Sequence, residues 1–275
     1  MQSSDLISAR YDADAAAYER LWAPILRPFG RALLEALPLA GARRILDLGA
    51  GTGTLLPLIR AMAPEAAIIA ADGSRGMLMR APAAFPRMVG DACRLGLATE
   101  SMDVAILAFM LFHLPDPSRA LAEARRVLRP GGAIGTITWD GPPTFAAQLA
   151  WNQELDAHGA TPAPTDGDPT DHRPVDSEAK VAGLLAGAGF ARIRTWSVPF
   201  AHRFGREELL EKLTSMGTSA LRLASLPPKE RDSFLASARS LLHAMTGEDL
   251  VDRATLIYAT ATAVRPIHSP PTEDG

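Results

Sequence analysis

Residues 45–53 read Ile45-Leu46-Asp47-Leu48-Gly49-Ala50-Gly51-Thr52-Gly53. A strand-like run passes into a turn with glycine at every second position and then into a helix. A turn without β-carbons lets the backbone approach a ligand closely and adopt dihedrals that other residues resist, while free N–H groups at a helix start favour an anionic group. Outward from this turn, short β-branched and leucine runs predict strands at 44–48, 67–71, 87–89, 103–109 and 133–139, alternating with helical segments. That alternation predicts an α/β fold: a mostly parallel sheet covered by helices on both faces, binding its ligand at the carboxyl ends of the strands.

The helices carry their own punctuation. Ser74 reads as an N-cap, and so does Asp116, with Pro117 at the first helical position. The helix after Asp116 is expected to bury Leu121, Ala124 and Leu128 and to stop at Pro130-Gly131-Gly132, which turn the chain into the next strand. The first forty residues, with Tyr11, Tyr18, Leu21, Trp22, Leu33, Leu34 and Leu37, suit two amphipathic helices interrupted near Pro28. Proline, glycine, aspartate and threonine are dense over 141–175, which reads as a mobile excursion holding one helix near 145–158. Beyond it, Asp176 reads as the cap of a helix bearing Val181, Leu184 and Leu185, followed by a strand at about 190–198, helices near 206–217 and 228–245, and a last strand at about 255–264. The expected organisation is a helical cap over 1–40 and an α/β domain over 41–265, with a lid at about 141–175 and a helical insertion at about 206–246. A disordered tail is expected over 266–275.

The 275 residues are 47% hydrophobic and 21% charged, which suits a chain that folds around its own core. A formal net charge of −3 leaves no cationic excess to neutralise many phosphates, so nucleic acid is a disfavoured partner. No apolar h-region follows a basic start and no run approaches a membrane span, which points to the cytoplasm. Cys93 is the only cysteine, so neither an internal disulfide nor a multi-cysteine zinc site can form.

A dinucleotide site uses G-x-G-x-x-G, and its third small residue would fall at Thr54. Here the third glycine is Gly53, which shifts the reading from a dinucleotide towards S-adenosylmethionine. Asp72 ends the second predicted strand in Ala70-Ala71-Asp72-Gly73-Ser74, where a carboxylate can accept both ribose hydroxyl hydrogens. Asp91, in Gly90-Asp91-Ala92, can accept from an adenine amino group, with Met77 available to sandwich the ring.

These segments, with Phe112-His113-Leu114-Pro115-Asp116-Pro117 and Leu128-Arg129-Pro130-Gly131-Gly132, resemble the class I S-adenosylmethionine-dependent methyltransferases, particularly the small-molecule group that includes the quinone methyltransferases. The resemblance spans about residues 11–140. It implies a Rossmann-like, doubly wound, seven-stranded sheet. It also implies that Gly49 and Gly51 line the methionine and ribose portions of the cofactor, that Asp72 holds the ribose, and that Asp91 with Ala92 faces the adenine. Ala108 and Phe109 are then expected near the sulfonium, and Asp47, Gly73 and Met77 complete the cofactor set.

Methyl transfer from a sulfonium is an in-line displacement in which the protein aligns a nucleophile and excludes water. No catalytic dyad is required, although a hydroxyl or phenol acceptor benefits from a base. His113 is the candidate base by position, weighed against a structural role; His172 in the lid and His202 after the sixth strand are alternatives. Asp140 can bind substrate, but a strand-end carboxylate is usually a cap. Asp166, Asp168, Asp171 and His172 match no calcium loop, and Phe109-Met110-Leu111-Phe112 stands where a metal-dependent catechol-type enzyme would need carboxylates, so no metal is expected. Tyr11, Tyr18, Phe112 and Trp139 are expected to line an acceptor pocket for a small apolar or aromatic molecule, such as a polyketide, a quinone or a related secondary metabolite. The rival readings are the same fold serving as a non-methylating cyclase or binding module, and an NAD(P)-dependent oxidoreductase, which Thr54 opposes.

Overall fold

The glycine turn leaves strand β1 (Arg44–Leu48), which lies between β2 (Ala67–Asp72) and β4 (Met102–Ala108) and runs parallel to both. The computed structural model describes residues 3–141, 145–162 and 172–265. Together with β3 (Arg87–Val89), β5 (Leu128–Trp139), β6 (Phe190–Arg203) and β7 (Val251–Ala263), these strands form one seven-stranded sheet in the order β3-β2-β1-β4-β5-β7-β6. β7 is antiparallel to both of its neighbours. The chain leaves β1 for one side of the sheet and returns at β4 on the other. A crevice therefore opens between the carboxyl ends of these two strands, where open α/β sheets bind their ligands.

Side-chain alternation explains why the sheet is covered twice. Leu46, Leu48, Ala105 and Leu107 join one buried cluster, with residues of α5 (Pro117–Val127) and α7 (Glu178–Gly187). Ile45, Val104 and Ile106 join the opposite one, with α2 (Ala23–Glu35) and α3 (Leu56–Met62). Period two with both faces apolar gives the near-continuous hydrophobic runs seen in the sequence. A third cluster joins α6 (Ala146–Ala157), α8 (Arg206–Ser215), α9 (Gly217–Ala224) and α10 (Pro228–Ala244) around Trp151, Leu209, Leu223 and Phe234. Trp22 and Ile25, from the amino-terminal segment, pack against it.

Several boundaries differ from the sequence expectation. α1 (Ser3–Ala17) and α2 do not break at Pro28, which lies inside α2; the ladder widens into a π-turn at Tyr18–Trp22, where Ala23 N–H bonds to the Tyr18 carbonyl. Pro24 follows at once and has no N–H to give, so the ladder resets there. Leu128 already belongs to β5, opposite Met102, and the register shifts before Val104 pairs with Ala133. Pro130-Gly131-Gly132 is thus an irregularity within a strand rather than a turn before it. β6 runs on to Arg203, so His202 is inside that strand instead of after it, and α9 is an additional helix. The cap of α7 is Ser177, whose hydroxyl accepts from Lys180 N–H, while Asp176 pairs with the Lys180 ammonium at 2.7 Å. Ser74 and Asp116 do cap α4 (Arg75–Arg80) and α5. No described helix is long and apolar enough to cross a membrane. The central part of the expected lid and the tail from 266 lie outside the described residues.

Candidate functional site

At the end of β1 the chain turns through Gly49 (φ +75°) and Gly51 (φ +55°), a region that L-residues rarely occupy. A β-carbon on Gly49 would stand 2.7 Å from Cβ of Met110, and one on Gly51 would crowd Cε of Met77 at 3.3 Å. The turn is held from the next strand: Gly51 N–H donates to Oδ2 of Asp72 at 2.8 Å, and Ser74 N–H donates to its Oδ1 at 2.8 Å. Each carboxylate oxygen keeps a second lone pair for a ligand. Burial raises the Asp72 carboxyl above its usual range, opposed by the hydrogen bonds from Ser74 and Gly51.

The loop carrying Asp72 is fixed by a residue that no local motif marks. Asp12 of α1 accepts from the Ser74 hydroxyl at 2.5 Å and from Gly76 N–H at 2.6 Å. Two residues on, Asp14 accepts from Gly217 N–H at 2.8 Å and so ties α1 to α9. The bonds that pin the amino-terminal helix cross some sixty and two hundred positions, beyond the reach of any local motif.

The resulting cleft has an empty volume of about 1060 Å³ including its mouth, and Gly49, Gly51, Asp72, Gly73, Met77, Asp91, Ala92, Ala108 and Phe109 all line it. Nine of the ten residues expected around a cofactor are therefore together. The tenth, Asp47, lies behind the glycine turn in an adjoining space shared with Arg27, Gly49 and Gly51. Asp47 is only 2% exposed and its Oδ2 has no hydrogen-bond partner among the described residues. Burial, with the nearby Asp72 charge adding to it, pushes its carboxyl up to about 7. Asp91 stands at the open edge, its Oδ1 accepting from Cys93 N–H at 2.8 Å.

A second, more aromatic space adjoins the cleft. Tyr11, Tyr18, Phe112 and Trp139, the four residues expected around an acceptor, line it together with Trp22, Phe109, His113, His172 and Asp252. Four of these residues, Tyr11, Tyr18, Phe109 and His113, also line the cleft, so the two spaces share a wall. Phe109, the residue after β4, lies in the left-handed region at φ +59°, an unfavourable conformation for a bulky residue, and lines both cleft and chamber. Trp139 packs against Phe109 at 5.5 Å and nearly parallel to Trp22 at 6.3 Å, while the His172 ring stacks on Phe112 at 4.6 Å.

His113 closes a 3₁₀ turn, Leu111–His113, and its Nε2 lies 2.7 Å from the Tyr11 hydroxyl. Burial, countered in part by Arg10, pushes the Tyr11 phenol up to about 12, so it is protonated at neutral pH and donates when Nε2 is bare. His202 faces Phe204 and Glu208 and does not line the chamber. Asp140 accepts from Thr255 N–H at 3.1 Å and returns the bond through its own N–H at 3.0 Å, the strand-pinning role of a cap. Asp166, Asp168 and Asp171 fall outside the described residues.

Comparison with known proteins identifies relatives of this chain. Residues 46–135 match the family described as a methyltransferase domain. An uncharacterised methyltransferase of Mycobacterium tuberculosis is 39% identical over 152 residues, which is 54% of this chain and 58% of that protein. The chain thus spans a little over half the length of the mycobacterial relatives it matches. A malonyl-[acyl-carrier protein] O-methyltransferase of Dechloromonas aromatica is 30% identical over 261 residues, covering 94% of this chain and 92% of that one. Among solved structures, the [4+2]-cyclase SpnF superposes with a TM-score of 0.58 at 16% identity, covering 95% and 97% of the two chains, a likeness of fold alone.

Proposed function

The chain belongs to the class I S-adenosylmethionine-dependent methyltransferases, and on that premise we propose that it methylates a small, flat, apolar acceptor without a metal. The observation that carries this reading is the shared wall: Tyr11, Tyr18, Phe109 and His113 face both the cleft and the aromatic chamber. Two ligands held there would meet at that wall.

The residues present suit the cofactor. Oδ2 of Asp47, without a hydrogen-bond partner among the described residues, suits an ammonium, and the spare lone pairs of Asp72 suit ribose hydroxyls. Gly49 and Gly51 give the room that a β-carbon would fill, and Asp91 suits an adenine amino group. When bound, S-adenosylmethionine supplies a methyl group already activated on a sulfonium. The chain's work is then to orient and to exclude water. Phe109 and Trp139 provide dry aromatic walls, and the Tyr11–His113 pair offers a proton acceptor at the junction. Aromatic rather than carboxylate residues after β4 support a metal-independent transfer. The relative from Dechloromonas aromatica favours methyl transfer over the cyclase and oxidoreductase alternatives, and the net charge of −3 favours a small molecule over nucleic acid. A cytoplasmic site of action is part of the proposal.

Calorimetric titration with S-adenosylmethionine, S-adenosylhomocysteine and NADH tests it, followed by mass detection of an added methyl group on candidate acceptors. Binding of NADH alone would overturn the reading. Asp72→Ala should weaken cofactor affinity by about 1–3 kcal/mol while the fold persists, and a folded variant of unchanged affinity would remove Asp72 from the site. His113→Ala should slow turnover by about 10²-fold or more without abolishing cofactor binding. A pH–rate profile indistinguishable from the parent's would leave His113 a purely structural role.

A further inference from the structure

The aromatic chamber ends in a charge that its apolar walls do not explain. Asp252 lies near the start of β7, opposite His202 on β6, and is 2% exposed. Its Oδ1 has no hydrogen-bond partner among the described residues. Its countercharge comes from the inserted helices: Lys212 of α8 places its ammonium 4.7 Å from the centre of the Trp22 ring and 5.2 Å from that of Phe204. Burial raises the Asp252 carboxyl, and Lys212 and His202 hold it down. Burial lowers the Lys212 ammonium, and Asp252 and Glu208 support it. The group is therefore compensated in charge while its Oδ1 has no hydrogen-bond partner among the described residues, a state that is costly to leave dry. Asp252 lines the chamber and not the cleft, outside the wall the two share.

Resting on the methyl-transfer reading, we propose that Asp252 determines specificity by accepting a hydrogen bond from a hydroxyl group on the acceptor, at a point away from the atom that receives the methyl group. A hydroxyl fits better than an ammonium because Lys212 already supplies the positive charge. An anionic substituent would be repelled, and a plain hydrocarbon would leave Oδ1 unpaired. The flat body of such an acceptor lies among Trp22, Phe109, Phe112 and Trp139, which makes hydroxylated aromatic or polycyclic molecules the substrate class.

The test uses 2-naphthol and 2-methoxynaphthalene, which differ in the donor hydrogen and one methyl group, titrated by calorimetry into the full chain saturated with S-adenosylhomocysteine. Wild-type protein should bind 2-naphthol about tenfold more tightly. The double variant Asp252→Val, Lys212→Met removes both charges together, so that no ammonium is stranded, and should bind the two probes equally. Equal affinities in the wild type, binding of neither probe, or a preference that survives in the double variant would each overturn the assignment of Asp252. Normal titration of S-adenosylhomocysteine in those same runs would leave the methyl-transfer reading standing, whereas its failure to bind would sink both.

Discussion

Raising the pH from about 5 to about 8 should cost the cofactor-free protein about 3 kcal/mol of stability through Asp47 alone. Its carboxyl is held at about 7 in the fold against 3.8 when unperturbed, because burial and the Asp72 charge both disfavour ionisation. The folded state therefore keeps a proton that the unfolded chain has released. The stabilisation is complete below the unfolded value and is lost as the pH rises through about 7. Urea unfolding at a series of pH values, compared between the parent and Asp47→Asn, should show this slope in the first and a flatter profile in the second. On the proposed cofactor role of Asp47, the same group ties pH to binding. Only the ionised carboxylate pairs with an ammonium, so S-adenosylmethionine affinity should fall by up to about tenfold for each unit below about 7 and level off above it. Parallel stability profiles for parent and variant would refute the assigned environment of Asp47.

Trp151→Ala should destabilise the protein by about 3–5 kcal/mol, the usual cost of emptying a fully buried tryptophan site. Trp151 is completely enclosed, edge-on to Phe234 at 4.8 Å, at the centre of the layer formed by α6, α8, α9 and α10. Its indole N–H has no partner among the described residues, so Trp151→Phe gives up ring volume but no hydrogen bond and should cost much less. A loss below about 1 kcal/mol for the alanine variant, measured by equilibrium denaturation, would mean that the inserted layer unfolds separately from the sheet. That outcome would bear on function, since Trp22 of the chamber packs against this layer and Lys212, whose ammonium lies over the Trp22 ring, belongs to it.

The cleft proposed for the cofactor was legible in the sequence as a place, because the residues that form it are local. Gly49 and Gly51 belong to one turn, and Asp72, Asp91 and Ala108 each sit at a strand end that its own apolar run announces. The chamber was only half legible. Tyr11, Tyr18, Phe112 and Trp139 were identifiable as apolar surface near the site, but nothing near Asp252 in sequence marks it as more than a residue flanking a strand. Its meaning comes from Lys212, forty positions earlier on an inserted helix. Asp12 is the same case, since capping a loop some sixty residues away leaves no trace in the periodicity of its own helix.

Hydrophobic period and turn chemistry act over a few residues, so the strands, the two covered faces of their sheet and the position of the glycine turn could all be read from the chain alone. Three features emerge from long-range packing instead: how the amino-terminal helix is pinned beside the cleft, how Phe109 is turned into the wall between two spaces, and which buried carboxylate oxygens have no hydrogen-bond partner among the described residues. Those depend on which distant groups meet in a dry interior, where an unmade hydrogen bond or an uncompensated charge costs as much as a substantial part of the whole fold's stability.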